Sequence, residues 1–306
     1  MRNHMLKTMA PVMMALVIVL AACSDDDSTP DNGRVKIYLT DAPVDGANVD
    51  AVVLSVSRIE MKGSGDWKTV KQFDTPLSID ILDYQNGNAF LVSEETLKAD
   101  TYTEARLVLN ATEENGSPKA NPDTYIRYAD GTKKELFVPS GGQSGYKVKG
   151  SFTVAANVVK SVILDFDARK SLVTTGSGAN AKVLLKPTVR LIAQDDAALF
   201  EGKFDEYSAY SKVVIYAYEK GTFQASEAST PATGEARFKN ALTSTKVSNT
   251  GAFTFAFMPS GEYDLVFAAH NTEGEFVDVI GKYENVKLSA GVRLELDISL
   301  SKLIQL

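Results

Sequence analysis

Asp165 and Asp167 stand two residues apart in Leu164-Asp165-Phe166-Asp167, so both carboxyls fall on one side if a strand continues through them. Two carboxylates facing each other across a cleft could hydrolyse a glycosidic bond. Nothing in the sequence sets a second acid opposite this pair, and Arg169 and Lys170 follow closely enough to neutralise it. Calcium is the other chemistry such acids support, because it takes roughly six to eight oxygens and tolerates loop carbonyls. Asp41 and Asp45, near a Pro-Gly turn, join Asp165 and Asp167 as candidate calcium ligands, although their spacing matches no EF-hand loop.

Other reactive side chains are scarce. The chain has two histidines, His4 and His270, and one cysteine, Cys23, too few for a zinc site. Gly142-Gln143-Ser144-Gly145-Tyr146 lacks the final glycine of a nucleophile elbow. Ser144-Gly145-Tyr146-Lys147 fits Ser-x-x-Lys without its companion motifs. No glycine-rich loop joins a strand to a helix, which argues against a nucleotide fold. The expectation is a protein that is not an enzyme and carries no cofactor beyond a candidate calcium ion.

Cys23 has a different chemistry open to it. It follows Leu20-Ala21-Ala22, the end of an apolar run that starts near Met9, after Arg2 and Lys7. The run is too short to span a bilayer and suits the core of a secretory signal. This pattern resembles the bacterial lipobox, which implies cleavage before Cys23 and acylation of its thiol, palmitate included. Several acyl chains hold a protein on a membrane where one would not. Ser24-Asp25-Asp26-Asp27 resembles the acidic export signal of Bacteroidetes lipoproteins. The implied address is the outer membrane, lipid-anchored and facing the cell exterior.

Charge narrows the partners. The chain has 32 basic and 39 acidic side chains, and loss of residues 1–22 would remove Arg2 and Lys7, taking the formal charge from −7 to −9. An acidic surface argues against nucleic acid and against binding anionic lipid by charge. With Cys23 acylated, disulfides are ruled out and stability must come from packing.

The elements that would position these residues are strands. Val35, Ile37 and Leu39 alternate with Lys36 and Tyr38, and Val52, Leu54 and Val56 alternate with Val53 and Ser55. A two-residue period with one buried face marks antiparallel sheets. Turn formers such as Asn86-Gly87 and Asp130-Gly131 punctuate the runs. In the first half only Ser93 to Ala99 reads as helix, with Ser93 as cap and Glu94 and Glu95 in the first turn. After a break at Asp195-Asp196, Phe253, Phe255 and Phe257 lead through Pro259-Ser260-Gly261 to Tyr263, Leu265 and Phe267, the pattern of a hairpin. The expected fold is all-β: two antiparallel β-sandwich domains in series. The divisions are a signal at residues 1–22, a tether at 23–33, a first sandwich at 34–194 and a second at 198–306.

Tyr38-Leu39-Thr40-Asp41-Ala42-Pro43-Val44, Trp67, Ile79-Asp80-Ile81-Leu82, Tyr102-Thr103-Glu104-Ala105-Arg106-Leu107, Leu164 to Ser171 and Leu185-Lys186-Pro187 are spread over about residues 33–193. In order and spacing they resemble a bacterial lipoprotein family, domain of unknown function family 4382. Gly251 to Leu265 resembles the recurring strand–turn–strand of the carboxypeptidase-regulatory-like, transthyretin-type sandwich, which implies a spacer or adhesion module. Fold alone does not assign a function.

Exposed aromatics stack on sugar faces. Trp67, after the Gly63-Ser64-Gly65-Asp66 loop, and Tyr216 and Tyr218, with Tyr207 and Tyr210 nearby, are therefore the candidate ligand-binding residues; core packing is their other use. The expected role is binding or adhesion to a glycan or protein ligand at the cell surface. A structural spacer or accessory subunit of an envelope complex is the alternative, and a carboxylate-based hydrolase a more distant one.

Overall fold

The alternating runs pair into sheets over nearly the whole of the computed structural model. It describes residues 31–42, 49–139, 145–176, 181–186, 188–232 and 234–306. The first unit holds β1 (Asn32–Ala42), β2 (Val49–Lys62), β3 (Trp67–Asp80), β4 (Phe90–Lys98), β5 (Asp100–Leu109), β6 (Tyr125–Tyr128), β7 (Lys133–Phe137) and β8 (Tyr146–Val154). It continues with β9 (Val159–Asp167), one helical turn α1 (Ala168–Ser171), β10 (Leu172–Thr175), β11 (Lys182–Leu185) and β12 (Val189–Ala193). Among the described residues these strands form one hydrogen-bonded path, β10-β11-β7-β6-β2-β5-β8-β12-β9-β1-β4, with β3 beside β2. So long a twisted sheet curls on itself. Val35 and Ile37 of β1, Leu54 of β2, Leu107 of β5, Val148 of β8 and Leu164 of β9 accordingly meet in one buried cluster.

Most neighbours are antiparallel, as the alternation predicts. β1 and β9, however, run parallel from Arg34↔Val159 to Ala42↔Asp167. That pairing delivers the ends of both strands to one place.

The expected helix at Ser93–Ala99 is instead strand β4. It pairs with β1 through Ile37↔Ser93, Lys36↔Glu94 and Val35↔Glu95. Val92 and Leu97 are buried against the core, and the strand satisfies the edge of β1. Tertiary pairing overrides the weak helical preference of Glu-Glu-Thr-Leu.

The second unit holds β13 (Ala198–Lys203), β14 (Lys212–Glu219), β15 (Thr243–Lys246), β16 (Ala252–Met258), β17 (Gly261–His270), β18 (Phe276–Leu288) and β19 (Arg293–Glu295). A sheet β16-β13-β19 faces a sheet β15-β14-β17-β18. Phe200, Phe204, Phe253, Phe255, Leu265 and Phe267 fill the space between them.

The predicted hairpin is therefore an arch. β16 hydrogen-bonds to β13, and β17 to β14 and β18, so Pro259-Ser260 carries the chain from one sheet to the other. Both strands turn their apolar sides to the same core, which is why their sequence pattern matches a hairpin. Phe257 also leaves the pattern: its φ is 53°, and the register shifts so that Met258 is the buried residue.

The four-stranded sheet is covered on its other face as well. Tyr216, Tyr218, Val266 and Ala268 pack beneath Phe238 and Phe223, from the long β14–β15 connection. Phe267→Ala is expected to cost about 3–5 kcal/mol of stability, whereas Val277→Ala, at an exposed position, should stay within about 0.5 kcal/mol. Urea denaturation of the two variants checks this.

Candidate functional site

The acids marked in the sequence collect where the two units meet. Parallel pairing sets Thr40 beside Asp165 and Ala42 beside Asp167. Asp41 shares the parity of Val35, Ile37 and Leu39, so it closes their core-facing stripe, while Asp165 and Asp167 alternate onto the opposite face.

Each acid is already bonded. Asp41 Oδ1 accepts from the Ala168 N–H at 3.0 Å, and Oδ2 from Gln85 Nε2 at 3.1 Å. Asp165 is paired with Arg190, its neighbour across β9–β12, with Nε at 3.0 Å and a second contact from Nη2. Asp167 binds Arg169 Nη2 at 3.0 Å and Lys170 Nζ at 3.2 Å, and its Oδ1 caps α1 by accepting from the Lys170 N–H.

Burial dominates the electrostatics. It pushes the Asp41 carboxyl well above the ordinary carboxylate range, opposed by the two hydrogen bonds and reinforced by Asp167 and Asp165. Burial also raises Asp165, although Arg190 pulls the other way, and it lowers the Lys170 ammonium against the attraction of Asp167.

Arg169 carries the contact across the junction. Its side chain is 1% exposed. Nη2 holds Asp167, while Nη1 donates to the carbonyls of Phe238 at 2.7 Å and Arg237 at 3.0 Å in the second unit. The guanidinium lies 5.5 Å from the centroid of the Tyr216 ring. Phe238 adopts a φ of 52°, uncommon for an aromatic residue. Elsewhere Thr245 Oγ1 donates to Asn86 Oδ1 at 3.1 Å, and a gap of about 20 Å³ remains between the units, room for about one water.

This arrangement is ill suited to the reactions the acids suggested. A calcium ion at Asp165 or Asp167 would have to displace an arginine. Among the described residues no group of three or more His, Cys, Asp or Glu is placed to hold a metal. Asp45 lies outside the described residues, as do Cys23, Ser24, Asp25, Asp26, Asp27 and Ser144.

The aromatic candidates separate. Tyr216 and Tyr218 are fully buried under the β14–β15 connection and cannot stack on a ligand, a correction to the expectation for both. Alternation distinguishes the two faces of β14, but both are covered. Trp67 is half-buried, and Arg106 lies over its ring at 4.5 Å. Arg106 in turn pairs with Glu60, which also holds Arg58 at 2.8 Å. His270 is buried, with Nδ1 at 3.1 Å from the Gly274 carbonyl and its ring edge-on to Phe276, so it serves packing.

Arg190 escaped the sequence reading. The available signal was an arginine inside the apolar run Val189-Arg190-Leu191-Ile192, but only the strand register shows that it meets Asp165.

Surface clefts on the second unit include two of ligand size. One of about 450 Å³ covers the outer face of β16-β13-β19, where Arg293 pairs with Glu201 at 2.7 Å and Glu295 at 2.9 Å. The other, of about 360 Å³, is lined by Tyr207, Tyr210, Ser248 and Asn249.

Residues 32–187 match the family described as domain of unknown function (DUF4382). The chain belongs to this family. The DUF4382 match spans β1 to β11 and therefore contains Asp41, Asp165, Asp167 and Arg169. No curated protein matches the chain. Similar solved structures include the Bacillus anthracis TIE protein, at 10% identity and TM-score 0.20, covering 87% of this chain and 34% of that one. A leucine-rich repeat protein from Bacteroides thetaiotaomicron follows at 11% identity and TM-score 0.19, covering 88% and 26%. The fimbrial anchor protein Mfa2 from Porphyromonas gingivalis is similar at 10% identity and TM-score 0.21, covering 87% and 91%. The chain thus spans about a third and a quarter of the lengths of the first two. TM-scores this low carry no inference about function.

Two outcomes follow from the junction. The folded state favours protonated Asp41, so the stability that Asp41 contributes is present at low pH and is lost as pH rises through its folded-state value. Asp41→Asn, which keeps a neutral acceptor for Ala168, should therefore melt higher than the parent at pH 8, and the gain should vanish toward pH 4. Millimolar calcium should leave the melting temperature of the parent unchanged; differential scanning calorimetry reads both.

Proposed function

We propose that this chain is an acylated outer-membrane lipoprotein, facing the cell exterior, that binds or adheres to a glycan or protein ligand without catalysis. One observation supports the non-catalytic role above others. The described acids with catalytic spacing, Asp165 and Asp167, are neutralised by Arg190, Arg169 and Lys170 inside a buried junction. Charges held this way orient two units and leave neither of these carboxylates free to transfer a proton to a substrate.

The address rests on Leu20 to Asp27: a cysteine behind small residues, then an acidic run. Among the described residues no helix is long and apolar enough to cross a membrane. Attachment is assigned to acyl chains on Cys23 on the strength of that motif. The second unit, a three-stranded sheet packed on a four-stranded one, is read as a transthyretin-type sandwich on the pattern of Gly251 to Leu265.

A spacer or accessory-subunit role is the second reading. The buried Arg169 bridge supports it equally, since a fixed angle between units suits a strut as well as a display platform.

Cys23→Ala should move the protein from washed membranes to the soluble fraction, and retention on membranes would contradict acylation. Replacing Asp25, Asp26 and Asp27 by alanine should shield the protein from protease added to intact cells. Unchanged cleavage would contradict export to the outer face.

A further inference from the structure

Resting on the reading of the chain as a surface-displayed binding protein, we propose that the groove between Tyr207, Tyr210, Ser248 and Asn249 binds a neutral carbohydrate chain.

The two rings are fixed from behind by the core. Tyr207 lies against Gly251, where a Cβ would approach its Cδ1 to 2.6 Å, and Gly251 has a φ of +83°, a conformation open to glycine. Tyr210 stacks on Phe204 with centroids 6.3 Å apart and planes 26° from parallel. Both rings remain half-buried, so each keeps a part open to the groove. Rings already held in place lose little freedom on binding. An aromatic surface accepts the C–H face of a pyranose, and a phenol adds a polar tip. Neither hydroxyl makes a hydrogen bond among the described residues.

The rim is mostly neutral and polar. Ser208, Ser211, Ser248 and Asn249 are exposed and uncharged. Lys212 is the charged residue of the lining, and its ammonium donates to the Thr272 carbonyl at 2.5 Å. Hydroxyls and an amide beside the half-buried Val247 suit a polyhydroxyl ligand. The volume of about 360 Å³ lies within the range of small-molecule sites. The larger cleft lacks these features: Arg293 and its two ion-paired glutamates make it charged.

Placement agrees with display. β1 enters the first unit at Asn32, on the tether side, and reaches the junction at Asp41, about 30 Å on at ~3.3 Å per residue. β16 runs from Gly251, beneath the groove, to the junction, whose gap it lines from Thr254 onward, about 10 Å from Gly251. The groove is lined by residues of the second unit alone and lies outside the gap between the units.

The test is electrophoresis of the mature full-length chain, in detergent, through gels containing dextran, mannan, xylan, galactan or hydroxyethylcellulose, with polygalacturonate as the anionic comparison. At least one neutral polymer should retard the protein. Tyr210→Ala and Asn249→Arg should each weaken that retardation tenfold or more, and Trp67→Ala should leave it unchanged. Asn249 is exposed, so Asn249→Arg blocks the groove without touching the core and keeps the test valid if Tyr210→Ala fails to fold. Retardation by no neutral polymer, by polygalacturonate alone, or undiminished in Asn249→Arg would overturn the proposal. Loss in Trp67→Ala instead would move the site to the first unit and leave the surface-binding reading standing. Recovery of the parent protein from the soluble cell fraction would overturn the display reading whatever the gels show.

Discussion

The Arg169 guanidinium has no water to return to, and the rest of the junction is arranged around that constraint. A buried arginine must have its charge balanced and its N–H groups met. Asp167 supplies the charge from its own unit, and the carbonyls of Arg237 and Phe238 supply acceptors from the other. Moving either unit would strip partners from a side chain that solvent cannot reach. The β14–β15 connection reflects this. It buries Phe238 over Tyr216, holds its backbone at an uncommon φ, and delivers its carbonyl to Arg169.

That constraint gives the neighbouring acids their role. β1 and β9 end together because they pair in parallel, and their last turns carry Asp41, Asp165 and Asp167. Left unpaired, three carboxylates this deep would repel one another and destabilise the fold. Arg190, Arg169 and Lys170 neutralise two of them, and burial drives the third toward its protonated form. The result is a polar seam between two apolar cores. It carries orientation from the first unit to the second, and with it the direction in which the Tyr207–Tyr210 groove faces.

The class of fold was legible because side chains on a strand alternate and those on a helix do not. Val35-Ile37-Leu39 and Phe253-Phe255 announce strands whatever they pair with. Pairing itself was not legible. Phe253 to Phe267 has one apolar side per strand, which a hairpin and an arch between sheets satisfy equally, and only the hydrogen bonds of β13 and β14 distinguish them. Ser93 to Ala99 misled because its local preference was weak and the open edge of β1 decided the matter. Tyr216 and Tyr218 misled because what covers them, Phe223 and Phe238, comes from a separate stretch of chain. The acids were visible as a set. Arg169 and Lys170 were visible as partners by proximity, whereas Arg190, 25 residues from Asp165, needed the register.

The central claim is that Arg169 locks the two units at one angle. Spin labels at Asp66→Cys in the first unit and Asn249→Cys in the second, in a Cys23→Ala background, allow the distance between them to be measured by double electron–electron resonance. A narrow distribution that broadens severalfold in Arg169→Ala is the predicted result. A broad distribution in the parent, or one unchanged by removal of Arg169, would contradict it.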